Sequence, residues 1–328
     1  MIKRDLVIVG GGPAGMAAAL SAREHGVEDI LLLERDQYLG GILNQCVHTG
    51  FGLEYFKEVL SGPEYAARFI EKVKEVPEIE ISLRSFVVKL KKDKTLVYIK
   101  PGVMEEVSAK AVIMATGCRE KTREMVHIPG TRPAGIFSAG LAQKLINIEG
   151  LLPGREVVVV GSGDIGLIMA RRFTLEGAKV KAILEIQPTS RGLARNVVQC
   201  VEDFGIPMHF GHKILKIHGR ARVEKVTVAK VDADMREVPG SEFDIDCDTV
   251  LMSVGLIPER AHRDGRCRHR QEDQLAGVER CKYDFYSWHI RLRQFVQGLR
   301  LCRLGDGGQR DRGADGGGVF ANPWITIW

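Results

Sequence analysis

The stretch "DLVIVGGGPAGMAAALSAREHG", residues 5–26, predicts the fold of the first part of the chain. An apolar strand leads into a glycine turn, and a helix rich in small residues follows. Gly10, Gly12 and Gly15 have the spacing GxGxxG, in which the first glycine permits a tight turn and the second lets the backbone approach a pyrophosphate. The third glycine lets helix and strand pack closely, so that the N-terminus of the helix faces the phosphates.

Two further features strengthen this pattern, which is weak when it stands alone. A second strand, "DILLLE", ends at Glu34, which lies 24 positions after Gly10. A carboxylate at that spacing is typical of the residue that binds a ribose 2′-hydroxyl. Because strand, turn, helix and acid occur in the required order, the sequence predicts a dinucleotide site here.

The same arrangement recurs in "REVVVVGSGDIGLIMARRFTLEGAKVKAILE", residues 155–185. Three glycines follow a strand of four valines with the same spacing: Gly161, Gly163 and Gly166. Glu185 lies 24 positions after the first of them and favours NAD over NADP, whose 2′-phosphate prefers a cation. Arg191 on the following loop keeps NADP open, and a Rossmann-like domain with an empty site is the alternative.

The composition is that of a globular protein without a membrane span. Apolar residues make up 45% and charged residues 27% of the chain, and no apolar run reaches the ~18 residues that a spanning helix needs. The seven cysteines are scattered, with no paired CxxC spacing and no cluster suited to an iron–sulfur centre. We therefore expect no metal site and a reducing, cytoplasmic location.

The net charge of +5 comes almost entirely from the end of the chain. Residues 1–260 hold 35 Lys and Arg against 34 Asp and Glu, whereas residues 261–328 hold 12 against 8, and all three tryptophans lie in this tail. Because the rest of the chain is nearly neutral, the charge does not predict a nucleic-acid partner unless the tail is genuine.

Two further strands suggest how the two glycine motifs are joined. They are "AKAVIMATGCRE", residues 109–120, and "CDTVLMSVGLIPE", residues 247–259. Both resemble the crossovers of the pyridine nucleotide–disulfide oxidoreductase superfamily, in which an NAD(P)H domain is inserted into an FAD domain. The resemblance implies an α/β fold with two Rossmann-like domains of the three-layer ββα type. The domains implied are an FAD domain at 1–120, an inserted NAD domain at 121–250, a return crossover at 251–260 and an aberrant tail at 261–328.

Three motifs resemble one branch of that superfamily more closely: "GGILNQCVHTGFG", "GPEYAARF" and "IPGTRPAGIFSAGLAQ". The branch contains the flavoprotein subunits of hydrogen cyanide synthase, opine oxidase and sarcosine oxidase, and flavoproteins associated with glycerol-3-phosphate dehydrogenase. It implies FAD and NAD as cofactors, a small-molecule substrate or electron acceptor, and a partner subunit carrying a flavin or an iron–sulfur centre.

The motifs and the resemblance together imply the residues that contact each cofactor. Those for FAD are Gly10, Gly12, Pro13, Ala14, Gly15, Glu34, Arg35, Gly41, Gln45, Val87, Thr116 and Gly117. Those for NAD and the second crossover are Gly161, Gly163, Asp164, Ile165, Gly166, Glu185 and Gly255.

The cysteine pattern argues against a redox-active disulfide. Disulfide reductases of the superfamily carry GGxCxxxxC after the first acid, and here Leu43 and His48 occupy the two cysteine positions. The segment before the second glycine motif also lacks cysteine. Cys46 is then either an apolar packing residue beside the flavin or a single reactive thiol, and His48 is either a proton donor or a structural histidine.

The tail lacks the family segment T-S-x-P-G-x-F-x-x-G-(D/N), yet a shift of reading frame restores it. Codons for "DFYSWHIRLRQ", residues 284–294, permit TSIPGTFVCGN when moved forward by one base. We therefore expect a frameshift between about Arg260 and Cys281, which would deprive the chain of the final strand and helix of the FAD domain. The alternative is a genuine arginine-rich tail that binds nucleic acid or a partner.

These observations predict an FAD-dependent oxidoreductase that transfers a hydride between NAD(H) and the flavin without a redox-active disulfide. Electrons would pass to or from a small substrate or a partner subunit. Two alternatives stay open: a subunit that oxidises an amino acid or polyol, and a non-catalytic scaffold whose nucleotides are structural.

Overall fold

A computed structural model describes residues 2–258 and 324–326 of the chain. The chain divides into two compact units, one comprising Met1–Gly117 with Pro258–Trp328 and the other Cys118–Ile257. These bounds lie close to the expected limits of the FAD and NAD domains. Which nucleotide belongs to which unit stays a prediction.

The first unit is built on strands whose side chains alternate between two apolar layers. Its elements are β1 (Ile2–Val9), α1 (Pro13–Glu24), β2 (Ile30–Leu33), a 3-10 helix (Gly41–Gln45), β3 (Thr49–Phe51), β4 (Leu60–Ser61), α2 (Gly62–Lys74), β5 (Ile79–Ser82), β6 (Phe86–Leu90), β7 (Thr95–Lys100) and β8 (Val103–Met114). The sheet order is β5-β2-β1-β8-β7-β6, with β5, β2, β1 and β8 parallel and β6 to β8 antiparallel.

The two faces of this sheet are covered by different elements. Leu6 and Ile8 pack with Met16 of α1 and Phe69 of α2, whereas the alternate residue Val7 packs in a separate core with Leu96 and Tyr98 of β7. This alternation follows from the two-residue period of a strand. It produces three layers: helices, parallel sheet and antiparallel meander.

The second unit repeats the three layers. Its elements are β9 (Cys118–Glu120), a 3-10 helix (Arg123–Val126), β10 (Ile136–Ser138), α3 (Ala139–Asn147), β11 (Glu156–Val160), α4 (Asp164–Leu175), β12 (Lys179–Glu185), α5 (Ala194–Val197), a π-helical turn (Val198–Glu202), β13 (Met208–Phe210), β14 (His212–Gly219), β15 (Val223–Lys230), β16 (Phe243–Asp246), β17 (Thr249–Met252) and β18 (Leu256–Pro258). Its parallel sheet has the order β10-β17-β11-β12-β13. Val159 of β11 packs in one core with Phe173 of α4, and the neighbouring residue Val158 packs in another core with Val226 of β15.

The expected fold class is therefore confirmed: each unit is a Rossmann-like α/β layer structure. The described residues include no helix long and apolar enough to cross a membrane. Neither do they contain a group of three or more metal-ligating side chains.

The frameshift hypothesis concerns residues that lie, except for one short strand, outside the described part of the chain, so it stays a prediction. We expected the final strand of the first unit to be missing, but Trp324–Thr326 forms a short strand that pairs in parallel with Val112–Met114 of β8. Trp, Ile and Thr favour strands. β7 pairs only with Val103–Ser108 of β8, whereas β1 pairs with the opposite edge as far as Met114, so the β7 side of residues 112–114 is open to another strand.

The core of the second unit is tested by two substitutions on one helix. Phe173 is fully buried on α4, whereas Leu175 is 59% exposed. Phe173→Ala should lower the free energy of unfolding by about 3–5 kcal/mol, since it leaves a large cavity. Leu175→Ala should change it by about 0.5 kcal/mol or less. Urea unfolding followed by circular dichroism measures both, and equal losses would contradict the packing described.

Candidate functional site

The first glycine turn joins β1 to α1 with little space to spare. Gly10 has φ +109°, and a Cβ there would lie 2.2 Å from the carbonyl oxygen of Ala115. A Cβ on Gly15 would lie 1.8 Å from the carbonyl oxygen of Gly10. The first and third glycines are therefore required by close backbone contacts, as the motif predicts.

The second glycine of this turn faces open space instead. A Cβ on Gly12 would have no neighbour closer than the Cα of Gly41, at 3.9 Å. Gly12 precedes Pro13, the first residue of α1, so this space lies in front of the amino end of the helix. A helix N-terminus attracts anions through its unpaired N–H groups. The turn therefore fits the pyrophosphate of a dinucleotide.

Glu34 is held beside the same turn. The residue is buried, its Oε2 accepts a hydrogen bond from the backbone N–H of Gly11 at 2.6 Å, and its Oε1 accepts one from Asp36 at 2.9 Å. A buried carboxylate requires such donors, because burial without them is costly. The acid is thus preset at the carboxyl end of β2, where a ribose hydroxyl is expected.

The second turn repeats this geometry between β11 and α4. Gly161 has φ +96°, and a Cβ there would lie 2.3 Å from the carbonyl oxygen of Ser253. A Cβ on Gly166 would lie 2.7 Å from the carbonyl oxygen of Gly161, whereas one on Gly163 would meet nothing within 4 Å. The open position again lies directly before a helix, here α4.

Glu185 is the counterpart of Glu34 and is held by one more hydrogen bond. Its Oε2 accepts from both the backbone N–H and the hydroxyl of Ser162, at 2.9 and 2.6 Å, and its Oε1 accepts from Gln187 N–H at 2.9 Å. Position by position, the second motif lies 151 residues after the first, since Gly161 corresponds to Gly10 and Glu185 to Glu34. The two units therefore carry equivalent glycine turns, each with a buried acid beside it.

The 3-10 helix Gly41–Gln45 lies against the first turn. Gly40 N–H donates to the carbonyl oxygen of Gly11 at 2.9 Å, and a Cβ on Gly41 would lie 3.0 Å from the Cα of Gly12. Asn44 Nδ2 donates to the carbonyl oxygen of Leu39 and so closes the segment on itself. The structure thus brings Gly41 next to the first turn, with Gln45 at the end of the same short helix.

Cys46 packs beneath this segment. It is 6% exposed, and its carbonyl oxygen accepts a hydrogen bond from Gly62 N–H at 2.9 Å at the start of α2. A Cβ on Gly62 would lie only 2.8 Å from the Cβ of Cys46. This close contact favours the packing role for Cys46.

His48 lies at the edge of an aromatic cluster. Its Nδ1 is 3.2 Å from the carbonyl oxygen of Thr49, and its ring centroid is 5.2 Å from that of Phe51. The ring of Phe51 in turn lies 6.2 Å from that of Tyr65 on α2. The histidine is half-buried, so both of its proposed roles are compatible with the structure.

The described cysteines provide no redox pair. No two of them, Cys46, Cys118, Cys200 and Cys247, are joined by a disulfide. Burial raises the pKa of Cys200, and burial together with the charge of Asp248 raises the pKa of Cys247 to about 12. Since the thiolate is the reactive form, the raised pKa makes each of these two thiols less reactive than an exposed one.

The remaining predicted residues occupy three kinds of position. Thr116 is exposed and Gly117 half-buried directly after β8, Arg35 is exposed after Glu34, and Gly255 is exposed after β17. Val87 is the one that packs into a core, between the sheet and the meander. Asp164 and Ile165 begin α4. Each of these assignments to a cofactor stays a prediction.

Sequence reasoning missed the part of the second site formed by Ser162 and residues 190–196. The Ser162 hydroxyl binds Glu185, and Arg191 N–H donates to the same hydroxyl at 3.1 Å. A serine inside a glycine turn is not a recognised signal. The 151-residue offset would have revealed it, because Ser162 stands where the first site has Gly11.

Comparison with known proteins agrees with this geometry. The family model of pyridine nucleotide-disulphide oxidoreductases matches residues 4–276, most of the chain. The chain belongs to this family. Its members are flavin-dependent oxidoreductases that use NAD(P)H, so the expected family and its cofactors are confirmed, whereas a preference for NADH is not decided.

Individual relatives are distant. Hydrogen cyanide synthase subunit HcnB of Pseudomonas protegens is 26% identical over 77% of this chain and 56% of its own length. An opine oxidase subunit of Agrobacterium tumefaciens is 24% identical over 77% of this chain and 52% of its own length. The chain thus spans about half the length of these relatives. Thioredoxin reductase of T. acidophilum has a similar fold, with a TM-score of 0.61, 24% identity and 79% of each chain covered.

The first turn yields a test that separates binding from folding. Gly12→Ala adds a methyl group to open space, so the protein should fold, whereas its affinity for FAD should fall about tenfold or more because the pyrophosphate is displaced. Gly15→Ala should instead destabilise the first unit, since its Cβ would collide with the Gly10 carbonyl. Thermal unfolding and FAD titration of both variants check this. A folded Gly12→Ala variant with normal FAD affinity would contradict the assignment.

Proposed function

We propose that this chain is an FAD-dependent oxidoreductase that transfers a hydride between NAD(H) and the flavin, and exchanges electrons with a small substrate or a partner subunit without a redox-active disulfide. The observation that carries the proposal is the pair of equivalent turns, each with an open second glycine and a preset buried carboxylate. Two dinucleotide sites in one chain suit transfer between two dinucleotide cofactors.

The chain's own residues supply binding and orientation. In the first unit, Gly10, Gly12 and Gly15 would admit the FAD pyrophosphate, and Glu34 would accept a hydrogen bond from its ribose. In the second unit, Gly163 and Glu185 would do the same for NAD(H). When bound, the two cofactors would supply the redox chemistry itself.

The absence of a dithiol separates the proposed route from that of a disulfide reductase. Cys46 is buried against α2, and no other described cysteine lies in the segment Leu39–Phe51. Electrons would then leave the flavin for a small acceptor or a partner subunit. The names of the two relatives, one from hydrogen cyanide synthase and one from opine oxidase, describe subunits of larger enzymes and support a partner.

Those names also support a second candidate function. An oxidase subunit would run the chemistry from a reduced substrate, such as an amino acid or polyol, toward the flavin and then to NAD or the partner. The same two sites serve either direction, so only a measurement of electron flow separates them. The cytoplasmic location expected from cysteine usage belongs to this proposal as well.

A preference for NADH over NADPH is part of the proposal. The buried carboxylate of Glu185 accepts hydrogen bonds and would repel a 2′-phosphate. Arg191, which is exposed on the adjacent loop, would offset some of that repulsion. We therefore expect discrimination between the two nucleotides to be moderate.

Anaerobic titration tests the proposed electron transfer directly. NADH added to the FAD-loaded protein should bleach the flavin absorbance near ~450 nm, and NADPH should do so less effectively. Glu185→Gln should narrow this difference, because the negative charge is lost. A flavin that stays oxidised with NADH, yet is reduced by an amino acid or polyol, would favour the second candidate function.

Cys46 provides the test for a route without a thiol. Cys46→Ser preserves the size of the side chain, so NADH-driven flavin reduction and turnover with an artificial acceptor should stay within about threefold of the unsubstituted protein. Cys118→Ser, at an exposed position, is the matched control. Loss of turnover by more than about a hundredfold in Cys46→Ser alone would identify Cys46 as the redox centre.

A further inference from the structure

Asp164 makes contacts that a residue serving only to bind the nucleotide would not need. It is the first residue of α4, yet its carboxylate does not cap that helix. Its Oδ1 accepts hydrogen bonds from Leu193 N–H at 2.7 Å and from the Asn196 side-chain amide at 2.9 Å. Asn196 is 9% exposed, and its bond to Asp164 is partly buried. We call Asp164, Leu193 and Asn196 the clamp.

The clamp closes a segment of chain onto the second glycine turn. This segment lies between Glu185 and Leu193. Within it, Ser190 Oγ donates to the carbonyl oxygen of Ser162 at 3.3 Å, and Arg191 N–H donates to the Ser162 hydroxyl at 3.1 Å. Gly192 fits so tightly that a Cβ there would lie 2.6 Å from Leu167 Cδ1. The segment is therefore hydrogen-bonded both to Ser162, within the glycine turn, and to Asp164, at the start of α4.

The segment in turn fixes the carboxylate of Glu185. The Ser162 hydroxyl accepts from Arg191 N–H, which leaves its own proton for Glu185 Oε2 at 2.6 Å. A hydroxyl that receives one hydrogen bond is oriented to donate the other, so the two bonds support each other. Movement of residues 190–193 would release the hydroxyl and, with it, the orientation of Glu185.

Among the described residues, the first site has no counterpart to these side-chain contacts. Counted by the 151-residue offset, Pro13 stands in place of Asp164, and Gly40 stands in place of Arg191. Gly40 N–H bonds directly to the carbonyl oxygen of Gly11, and Glu34 is held by backbone donors alone. The clamp is therefore particular to the second site and independent of the shared turn.

From these contacts we propose that Asp164 is a positioning residue, which holds Ser190–Asn196 against the second glycine turn and thereby orients Glu185 and Arg191 for the adenosine ribose of NAD(H). This inference rests on the proposed function, because it assumes that the second site takes a nicotinamide dinucleotide. It changes the role expected of Asp164 from a direct cofactor contact to an indirect one, exerted through Leu193 and Asn196.

Three substitutions separate geometry from charge. Asp164→Ala removes the acceptor and should weaken NAD+ binding about tenfold, with little change in the rate of flavin reduction at saturating NADH. Asp164→Asn keeps an oxygen acceptor for Leu193 and Asn196 but removes the charge, so NAD+ affinity should stay within about twofold. Asp234→Ala, at an exposed position in the same unit, is the matched control.

Two readouts do not depend on turnover. Calorimetric titration of the FAD-loaded protein with NAD+ gives the affinity directly, and hydrogen exchange reports the Leu193 amide. In Asp164→Ala this amide should exchange at least about tenfold faster, whereas Asp164→Asn should match the unsubstituted protein. FAD affinity should be unchanged in every variant, because the first site lacks the clamp.

The possible outcomes separate the two proposals. Normal NAD+ affinity and normal Leu193 exchange in Asp164→Ala would overturn the clamp, and equal losses in Asp164→Ala and Asp164→Asn would show that charge, not positioning, matters. An unsubstituted protein that binds no NAD+ would contradict the proposed function itself. The exchange of Leu193 would still decide whether Asp164 holds the segment.

Discussion

The close contact between the first and third glycines of each turn is the constraint on which both candidate nucleotide sites depend. A side chain at Gly15 or Gly166 would collide with the carbonyl oxygen of Gly10 or Gly161, so only glycine lets the helix begin this near to the strand. That approach brings the unpaired N–H groups of the helix to the carboxyl end of the sheet. The open space at Gly12 and Gly163 lies there as well.

The acids complete what the turns begin. Glu34 and Glu185 are buried, and a buried carboxylate is stable only when donors surround it. The turn itself supplies one donor, from Gly11 or Ser162, and the residue two positions beyond the acid supplies another. Each acid is therefore oriented before a nucleotide arrives, which lowers the entropy that binding must offset. The second site adds the Ser162 hydroxyl and the clamp to this common plan.

The sequence predicted the parts of the structure that depend on local pattern. Both glycine motifs lie between a strand and a helix, and each acid lies at the end of the next strand, as the sequence predicted, because turn geometry and strand periodicity leave strong marks on residue type. The roles of these residues in binding stay predictions. Contacts between distant segments leave no such mark. The packing of Cys46 on Gly62 and the bonds from Asp164 to Leu193 and Asn196 depend on how loops return to the sheet.

The structure bears on two predictions from the resemblance, the missing cysteine pair and the missing final strand, without deciding either. Leu43 and His48 occupy the two positions at which disulfide reductases of the family carry cysteine. The structure adds that Cys46, which lies between them, is buried. The strand Trp324–Thr326 shows that the sheet of the first unit accepts a partner beside β8, although we expected that strand to be absent.

We propose that the two units hold two different dinucleotides. Equilibrium titration of the purified chain, first with FAD and then with NAD+, is the direct test. We expect each nucleotide to bind to one site per chain, and NAD+ not to displace FAD. Competition between NAD+ and FAD for one site, or binding of only one of them, would contradict it.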